Sequence, residues 1–388
     1  MKIDKLEYQG KEFELKKLEQ KLINFNEIKD TKPSLNFPDL ISKNVDWNEI
    51  KYTFKENFRE YDDLLFKIHF KRKKPLAKKE RDNVLKFLAI GYLSSHDVRY
   101  FNEFIFFYSG NDYSKKLWPL MVKSFFNNLN KSNYHSFPLN KKNNVEKFIK
   151  KTHEKIKKIK QDEDYQSNKI ALLGSPTFFK KIRYSLIAKG YDVKCYFLPY
   201  HPRKIVNILF NNKISFKIFL MIKKINFPFQ TINYDYKDAK ITQLLKKENL
   251  DIGFHKLGFI IKKNIIESFK IGLINDHWAI LPFIKGRSTI EYSLLFGFPI
   301  GATTHIISEK VDHGDIINIY TYHEAYNLKK IKTIKDYIRK LTFQRAINSI
   351  EILSTNKKAI IKNSSQKGLM YYSVNPLLVN FIEKNILK

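Results

Sequence analysis

Apolar positions recur at helical spacing through the first part of the chain. From Asp82 to Tyr108, the residues Val84, Leu85, Leu88, Ile90, Leu93, Phe101, Phe104 and Phe107 fall at mixed three- and four-residue intervals, as in buried helices. Ser94-Ser95-His96-Asp97 predicts a break in this stretch and a cap for the helix that follows. Trp118 to Leu129 predicts another amphipathic segment. Residues 1–165 are therefore expected to form a mainly helical domain with few strand signals. The pattern changes after the charged run Lys150–Asp164, at Tyr165-Gln166-Ser167-Asn168. Lys169 to Pro176 reads as a buried strand ending in a turn, Phe178 to Lys189 as a helix, and Val193 to Leu198 as a second strand. Gly190 suits a left-handed cap at the end of that helix. A strand, helix and strand in this order imply a right-handed crossover and a parallel sheet. The alternation continues with a helix at Ile241–Glu248, a strand at Leu250–Phe254, a helix at Asn264–Phe269 and a strand at Ile271–Asn275. A strand at Gly301–Ser308 and a helix at Ile331–Ser354 follow. The expected fold is α/β: a Rossmann-like domain with a mostly parallel sheet over 166–321, behind the helical domain, with a C-terminal helix and tail over 322–388. Ligands are expected beyond the carboxyl ends of the strands.

Composition changes this picture little. Hydrophobic residues make up 43% of the 388, enough to fill a core and to exclude global disorder. The formal net charge of +32 would attract phosphates, nucleic acid or anionic lipid. Abundant Lys, Asn, Ile, Phe and Tyr are also what an AT-rich coding sequence produces, so charge alone selects no partner. The basic cluster Lys71-Arg72-Lys73-Lys74-Pro75 and Lys78-Lys79-Glu80-Arg81 reads as a solvated face more readily than as a phosphate site. A single cysteine, Cys195, excludes an internal disulfide framework and a multi-cysteine zinc site. The first residues mix charges where a signal peptide needs an apolar run, and no stretch reaches the ~18 apolar residues of a membrane span. A soluble cytoplasmic protein is expected. Gly174-Ser175-Pro176 lacks the full G-x-G-x-x-G pattern and reads as a tight strand-to-helix turn rather than a dinucleotide site.

The candidate chemistry lies between Gly272 and Ile317. Side chains two apart on a strand share a face, so Asn275 and His277 would both project where the strand ends. An amide and an imidazole there could address one carbonyl oxygen. Asp312 follows a further helix and strand, far enough along for the chain to return beside the first strand. A carboxylate near an imidazole fixes its orientation and favours its protonated form. Singly, each residue has a plainer reading: His as a hydrogen-bonded core residue, Asp-x-Gly-Asp as a turn.

In combination these residues resemble the folate-dependent formyltransferases. That family carries Asn-x-His, Leu-Pro-x-x-[Arg/Lys]-Gly, Gly-x-Thr-x-His and Asp-x-Gly-[Asp/Gly]. Here they stand as Asn275-Asp276-His277, Leu281-Pro282-Phe283-Ile284-Lys285-Gly286, Gly301-Ala302-Thr303-Thr304-His305 and Asp312-His313-Gly314-Asp315. The resemblance runs from the strand at Lys169 to about Pro376. Trp278-Ala279 stands where many members have Pro-Ser, and Lys285 where an Arg is common, departures that bear on substrate more than on chemistry. The resemblance implies transfer of a formyl group from 10-formyltetrahydrofolate to an amine without a metal. Asn275 would donate to the developing oxyanion, and His277 would stabilise it or shuttle the amine proton. Asp312 would orient His277 and assist proton transfer. Gly253, Phe254, Leu257, Gly258, Phe259 and Ile261, with Asp315, would bind the folate, largely through main chain. Thr304, His305, Lys285 and Gly286 would support the catalytic residues.

Three acceptor readings stay open. The first is a nucleotide-linked amino sugar, of the kind used in polysaccharide biosynthesis, or another small amine. The second is initiator methionyl-tRNA. The third is no acceptor at all, in a catalytically inactive relative that binds folate, RNA or a partner. The tRNA enzymes carry a further β-barrel domain of about a hundred residues. The residues after Tyr320 are expected to leave no room for one, and Gly368-Leu369-Met370-Tyr371-Tyr372 is closer to the sugar-modifying members. The N-terminal residues could shape the acceptor site, build a homo-oligomer or recruit a partner.

Overall fold

The computed structural model describes residues 5–8, 11–14, 58–71, 76–108, 117–118, 121–122, 124–125, 142–158, 167–197, 221, 230–231, 239–258, 260–356, 360–363 and 369–387. Among them, Lys5–Tyr8 (β1) and Lys11–Glu14 (β2) pair as an antiparallel hairpin, a strand pair in a part expected to be helical. Helices follow at Phe58–Lys71 (α1), Lys78–Ser95 (α2), Val98–Phe107 (α3) and Lys142–Lys157 (α4). The break between α2 and α3 falls where the polar run predicts it. His96 takes a left-handed conformation, and the Asp97 side chain accepts from the Arg99 backbone N–H as the cap of α3. The candidate segment after Trp118 is described only in part, and Arg72–Pro75 and the junction at Tyr165-Gln166 lie outside the described residues.

From Lys169 the chain alternates as the pattern predicts. It forms Lys169–Gly174 (β3), Pro176–Ala188 (α5), Asp192–Phe197 (β4), Gln230–Thr231 (β5), Ala239–Lys247 (α6) and Ile252–His255 (β6). There follow Lys263–Ile266 (α7), Gly272–His277 (β7), Ile284–Gly286 (β8), Thr289–Leu295 (α8), Gly301–Ile306 (β9) and Ile316–Thr321 (β10). After a 3-10 turn at His323–Asn327 come Ile331–Thr355 (α9), Leu369–Tyr371 (β11) and Pro376–Asn385 (α10). The main sheet has the order β10-β9-β7-β6-β3-β4-β5, parallel from β5 to β7 and antiparallel at β9 and β10.

Strand alternation assigns the two layers. Ile170 and Leu172 of β3, with Phe254 and Ile274, pack on α5 and α9 through Phe179, Ile182, Leu186, Ile347 and Ile350. Ala171, Leu173 and Leu273 face the other way, against Ile241, Leu245, Ile265 and Phe269. Burying each such Leu, Ile or Phe is worth about 1.5–3 kcal/mol. Gly190, at φ 87°, closes α5 in the left-handed conformation expected of it. One expectation fails locally: the helix read over Asn264–Phe269 is the single turn α7. Beyond it the chain turns so that the Phe269 ring lies where a Cβ on Gly253 would otherwise stand.

A third hydrophobic cluster joins α1–α4 to the Ala279–Ile300 segment and to the residues from Leu369 onward. Phe125 meets Phe381 edge-on at 5.3 Å, Phe148 meets Phe283 at 5.5 Å, and His153 Nε2 donates to the Ile319 carbonyl at 2.8 Å. The apolar surface of the N-terminal helices is thus continuous with that of the sheet-bearing part. No helix among the described residues is long and apolar enough to cross a membrane.

Candidate active site

Parallel strands end on one side of a sheet, and here β6 and β7 end at a cavity of ≈ 380 Å³. The register pairs Phe254 with Ile274 across these strands, so His255 lies beside Asn275 on the next step. On the other flank Asn275 pairs with His305 and His277 with Thr303 of β9. Side chains at paired positions share a face, which carries His255, Asn275 and His305 across three adjacent strands to the cavity wall. β7 continues to His277, beyond the Asn275 end read from the sequence, so the strand itself aims both residues.

The loop that returns Asp312 is built by local sterics. Asp312 has φ 56°, a left-handed conformation that Asp tolerates better than most residues. At Gly314 a Cβ would overlap the Ile306 carbonyl oxygen, so the Asp-x-Gly spacing is what lets this turn close on β9. Asp312 Oδ2 then stands 3.4 Å from His277 Nδ1 and accepts from the Gly286 N–H at 2.8 Å. Its Oδ1 lies 3.6 Å from His305 Nε2. Burial alone would raise the Asp312 carboxyl. The neighbouring His277 imidazole, then His305 and the Gly286 N–H, outweigh burial and hold it well below the ordinary carboxylate range.

His277 Nε2 meets the Ile284 carbonyl at 2.8 Å. A carbonyl only accepts, so Nε2 carries the proton and Nδ1 is left to exchange one beside Asp312. The same logic applies at His305, where Nδ1 donates to the Ile306 carbonyl at 3.0 Å and Nε2 accepts from Asn275 Nδ2 at 3.1 Å. Asn275 is partly exposed and its amide has a second N–H for a ligand. An amide donor and an imidazole nitrogen backed by a carboxylate thus face one cavity, an arrangement able to stabilise an oxyanion and move a proton.

Of the residues expected to bind folate, Leu257, Gly258 and Ile261 line the cavity. Phe259 lies outside the described residues. Phe254 points into the opposite layer and is fully buried there, since it alternates with His255. Gly253 shares the face of His255 but lies beneath Leu273 and Phe269. Asp315 is drawn off to the Asn363 N–H at 3.1 Å. None of these three is among the residues that line the cavity. Gly286 reaches it, whereas Lys285 is buried, its ammonium 3.2 Å from His313 Nε2. Thr304 faces away and accepts from Ser349 at 2.7 Å.

The sequence reading gave three residues no individual role. Thr303 accepts from the Leu281 N–H at 3.0 Å and donates to the Ala279 carbonyl at 2.7 Å, bracing the loop after β7, which contains the cis Leu281–Pro282 peptide. His255 and Arg287 both line the cavity. Alternation from Gly253 would have found His255; burial, then Lys256 and His305, pushes its imidazole down to about 3. Nothing in the spacing marks Arg287.

On the far face of β7, Asp276 is fully buried and receives Arg345 Nε at 2.6 Å and Nη2 at 2.7 Å, Thr342 at 2.8 Å and the Trp278 indole at 3.0 Å. The residue between Asn275 and His277 is thereby tied to α9.

Residues 168–346 match the family model described as formyl transferase. A methionyl-tRNA formyltransferase of Finegoldia magna is 37% identical over 84 residues, 21% of this chain and 27% of that protein. The corresponding enzyme of Thermodesulfovibrio yellowstonii is 30% identical over 139 residues, 35% of this chain and 44% of that protein. The chain thus spans less than half the length of either relative. A 4-N formyltransferase from Francisella tularensis superposes with a TM-score of 0.40 and 19% identity, over 56% of this chain and 87% of that one. The part of the chain that holds Asn275, His277 and Asp312 is thus the part similar to the formyl transferase family.

Proposed function

We propose that the protein transfers a formyl group from 10-formyltetrahydrofolate to a primary amine, and that the amine belongs to a nucleotide-linked amino sugar. The observation that carries the reaction is the convergence of Asn275, His277 and Asp312 on one cavity. The amine attacks the formyl carbon and a new C–N bond forms. The free N–H of Asn275 donates to the oxygen as its charge grows, a contribution of about 3–4 kcal/mol in comparable sites. His277 Nδ1, steadied by Asp312, takes the amine proton and delivers it to N10 of the folate as the old C–N bond breaks. Such acid–base help is typically worth about 10²–10⁴ in rate. The cavity suits a folate ring: its size lies within the ~300–1,000 Å³ usual for small-molecule sites, and Leu257, Ile261 and Ile307 give it an apolar wall.

The resemblance of Gly368 to Tyr372 to sugar-modifying members favours the sugar acceptor. The methionyl-tRNA formyltransferases among the relatives favour a second reading, in which the amine is that of methionyl-tRNA. Turnover of 10-formyltetrahydrofolate, followed by absorbance, is to be measured with a panel of nucleotide-linked amino sugars and with methionyl-tRNA. The expected result is sugar-dependent turnover, lost at least 100-fold in Asn275→Ala, His277→Ala and Asp312→Ala without unfolding. Efficient formylation of methionyl-tRNA with every sugar refused would replace the sugar reading. Folded wild-type protein inert toward all acceptors would overturn formyl transfer itself.

A further inference from the structure

Among the described residues, every residue lining the cavity comes from His255 or later, so the N-terminal helices lend it no side chain. They are nevertheless joined to it by one short path. The two groups that hold the candidate proton carrier and its carboxylate belong to β8: the Ile284 carbonyl on His277 and the Gly286 N–H on Asp312. β8 lies outside the main sheet, and β11 is its strand partner, in parallel register Leu369–Ile284, Met370–Lys285 and Tyr371–Gly286. The Arg287 N–H adds a bond to the Tyr371 carbonyl at 2.9 Å. Placement of β8 therefore depends on placement of β11.

β11 is gripped from α3. The Arg99 guanidinium is fully buried and donates from Nη1 to the Met370 carbonyl at 3.0 Å, with its centre 5.5 Å from the Tyr371 ring. It is aimed by two carboxylates: Asp97, at 2.9 Å from Nε and 2.7 Å from Nη2, and Asp62 of α1, at 2.5 Å from Nη1. One turn along α3, Asn102 donates to the Ser373 carbonyl at 3.2 Å and accepts from the Asn375 N–H at 2.7 Å. A buried guanidinium held by two carboxylates has a fixed geometry, and its fork directs a further N–H to a main-chain carbonyl.

We propose that Arg99 is a positioning residue of the reaction centre, fixing β11 and through it the β8 groups that hold His277 and Asp312. The inference rests on the formyl-transfer reading for its rate effect, but not for its structural effect. Arg99→Lys keeps the charge between Asp62 and Asp97 and gives up the fork. Asn102→Ala cuts the second tie of the same helix. Leu186→Ala, in the α5 layer, is the control for lost stability alone.

Turnover per folded molecule and hydrogen exchange of the Gly286 amide are to be measured in all four proteins; with 13 glycines in the chain, ¹⁵N-glycine labelling resolves that amide. In Arg99→Lys, kcat per folded molecule is expected to fall about 10–100-fold, the usual effect of a 1 Å misplacement. KM for the formyl donor is expected to change little, and the Gly286 amide to exchange at least tenfold faster than in Leu186→Ala. Wild-type kcat and exchange in a folded Arg99→Lys and Asn102→Ala would overturn the proposal. So would failure of both variants to fold, since the ties would then serve stability alone. If wild type itself shows no turnover, the formyl-transfer reading falls by itself, and Gly286 exchange still decides the case of Arg99.

Discussion

Asp276 offers the sharpest test of how β7 is held in place. Its carboxylate is fully buried and takes four short hydrogen bonds: two from Arg345, one from Thr342 and one from Trp278. Lys256 stands 3.4 Å away. In Asp276→Ala the Arg345 guanidinium, itself 1% exposed, keeps only Tyr322, Thr342 and the Ile338 carbonyl. Breaking a buried pair by removing one partner costs about 3–5 kcal/mol, because the remaining charge stays desolvated. That is about a fifth or more of the ~5–15 kcal/mol that keeps a typical domain folded. Asp276→Leu with Arg345→Met removes both charges and should cost well under the sum of the single changes. Urea unfolding followed by tryptophan emission reads this directly, since the Trp278 indole donates to Asp276 and lies 4.5 Å from the Lys256 ammonium. The pH dependence is also set. Burial would raise the Asp276 carboxyl, but Lys256 and Arg345 outweigh it and hold it far below the ordinary range. A depressed carboxylate contributes stability that is present above its unfolded value of ~3.9 and is lost as pH falls toward the folded one. The Asp276→Ala penalty should therefore shrink in acid. A loss below about 1 kcal/mol at neutral pH, or single changes that simply add, would refute the clamp.

Two further outcomes follow from β8. Gly286 has φ 92°, and a Cβ there would run into the Tyr371 carbonyl oxygen. Gly286→Ala should cost more than ~1 kcal/mol and lower turnover by releasing Asp312, as thermal melts and the folate assay would show. Lys285 is pushed down to about 8 by burial, against the opposing pull of Asp312 and Asp62. Between that value and its unfolded ~10.4 the unfolded chain binds more protons, so stability should rise with pH across this window. Lys285→Met should remove that rise, and unfolding midpoints from pH 7 to 10.5 would reveal a slope that persists.

Local signals carried far in this sequence wherever a residue's role depends on its near neighbours. The Asp97 cap, the Gly190 helix end and the β3–α5–β4 crossover depend on contacts within a few positions or on adjacent strands, and each lies where the pattern puts it. Asn275 and His277 were legible because alternation within one strand is enough to pair them. Register between strands leaves no such mark. His255 gains its place only because β6 runs beside β7, and the Phe254 side chain, one residue off that phase, packs in the opposite layer. The turn after α7 is likewise set by the fit of Phe269 over Gly253, which no helical pattern records. The same reasoning applies at the largest scale. A change in periodicity marks a boundary near residue 165, but periodicity describes only which face of an element is apolar, not what covers it. Here the apolar faces of α1–α4 are covered by the Ala279–Ile300 segment and the residues from Leu369 onward. The described helices before residue 165 therefore share a buried core with the residues around β8 and β11, and they bear on the site through that packing although none of their described side chains lines the cavity.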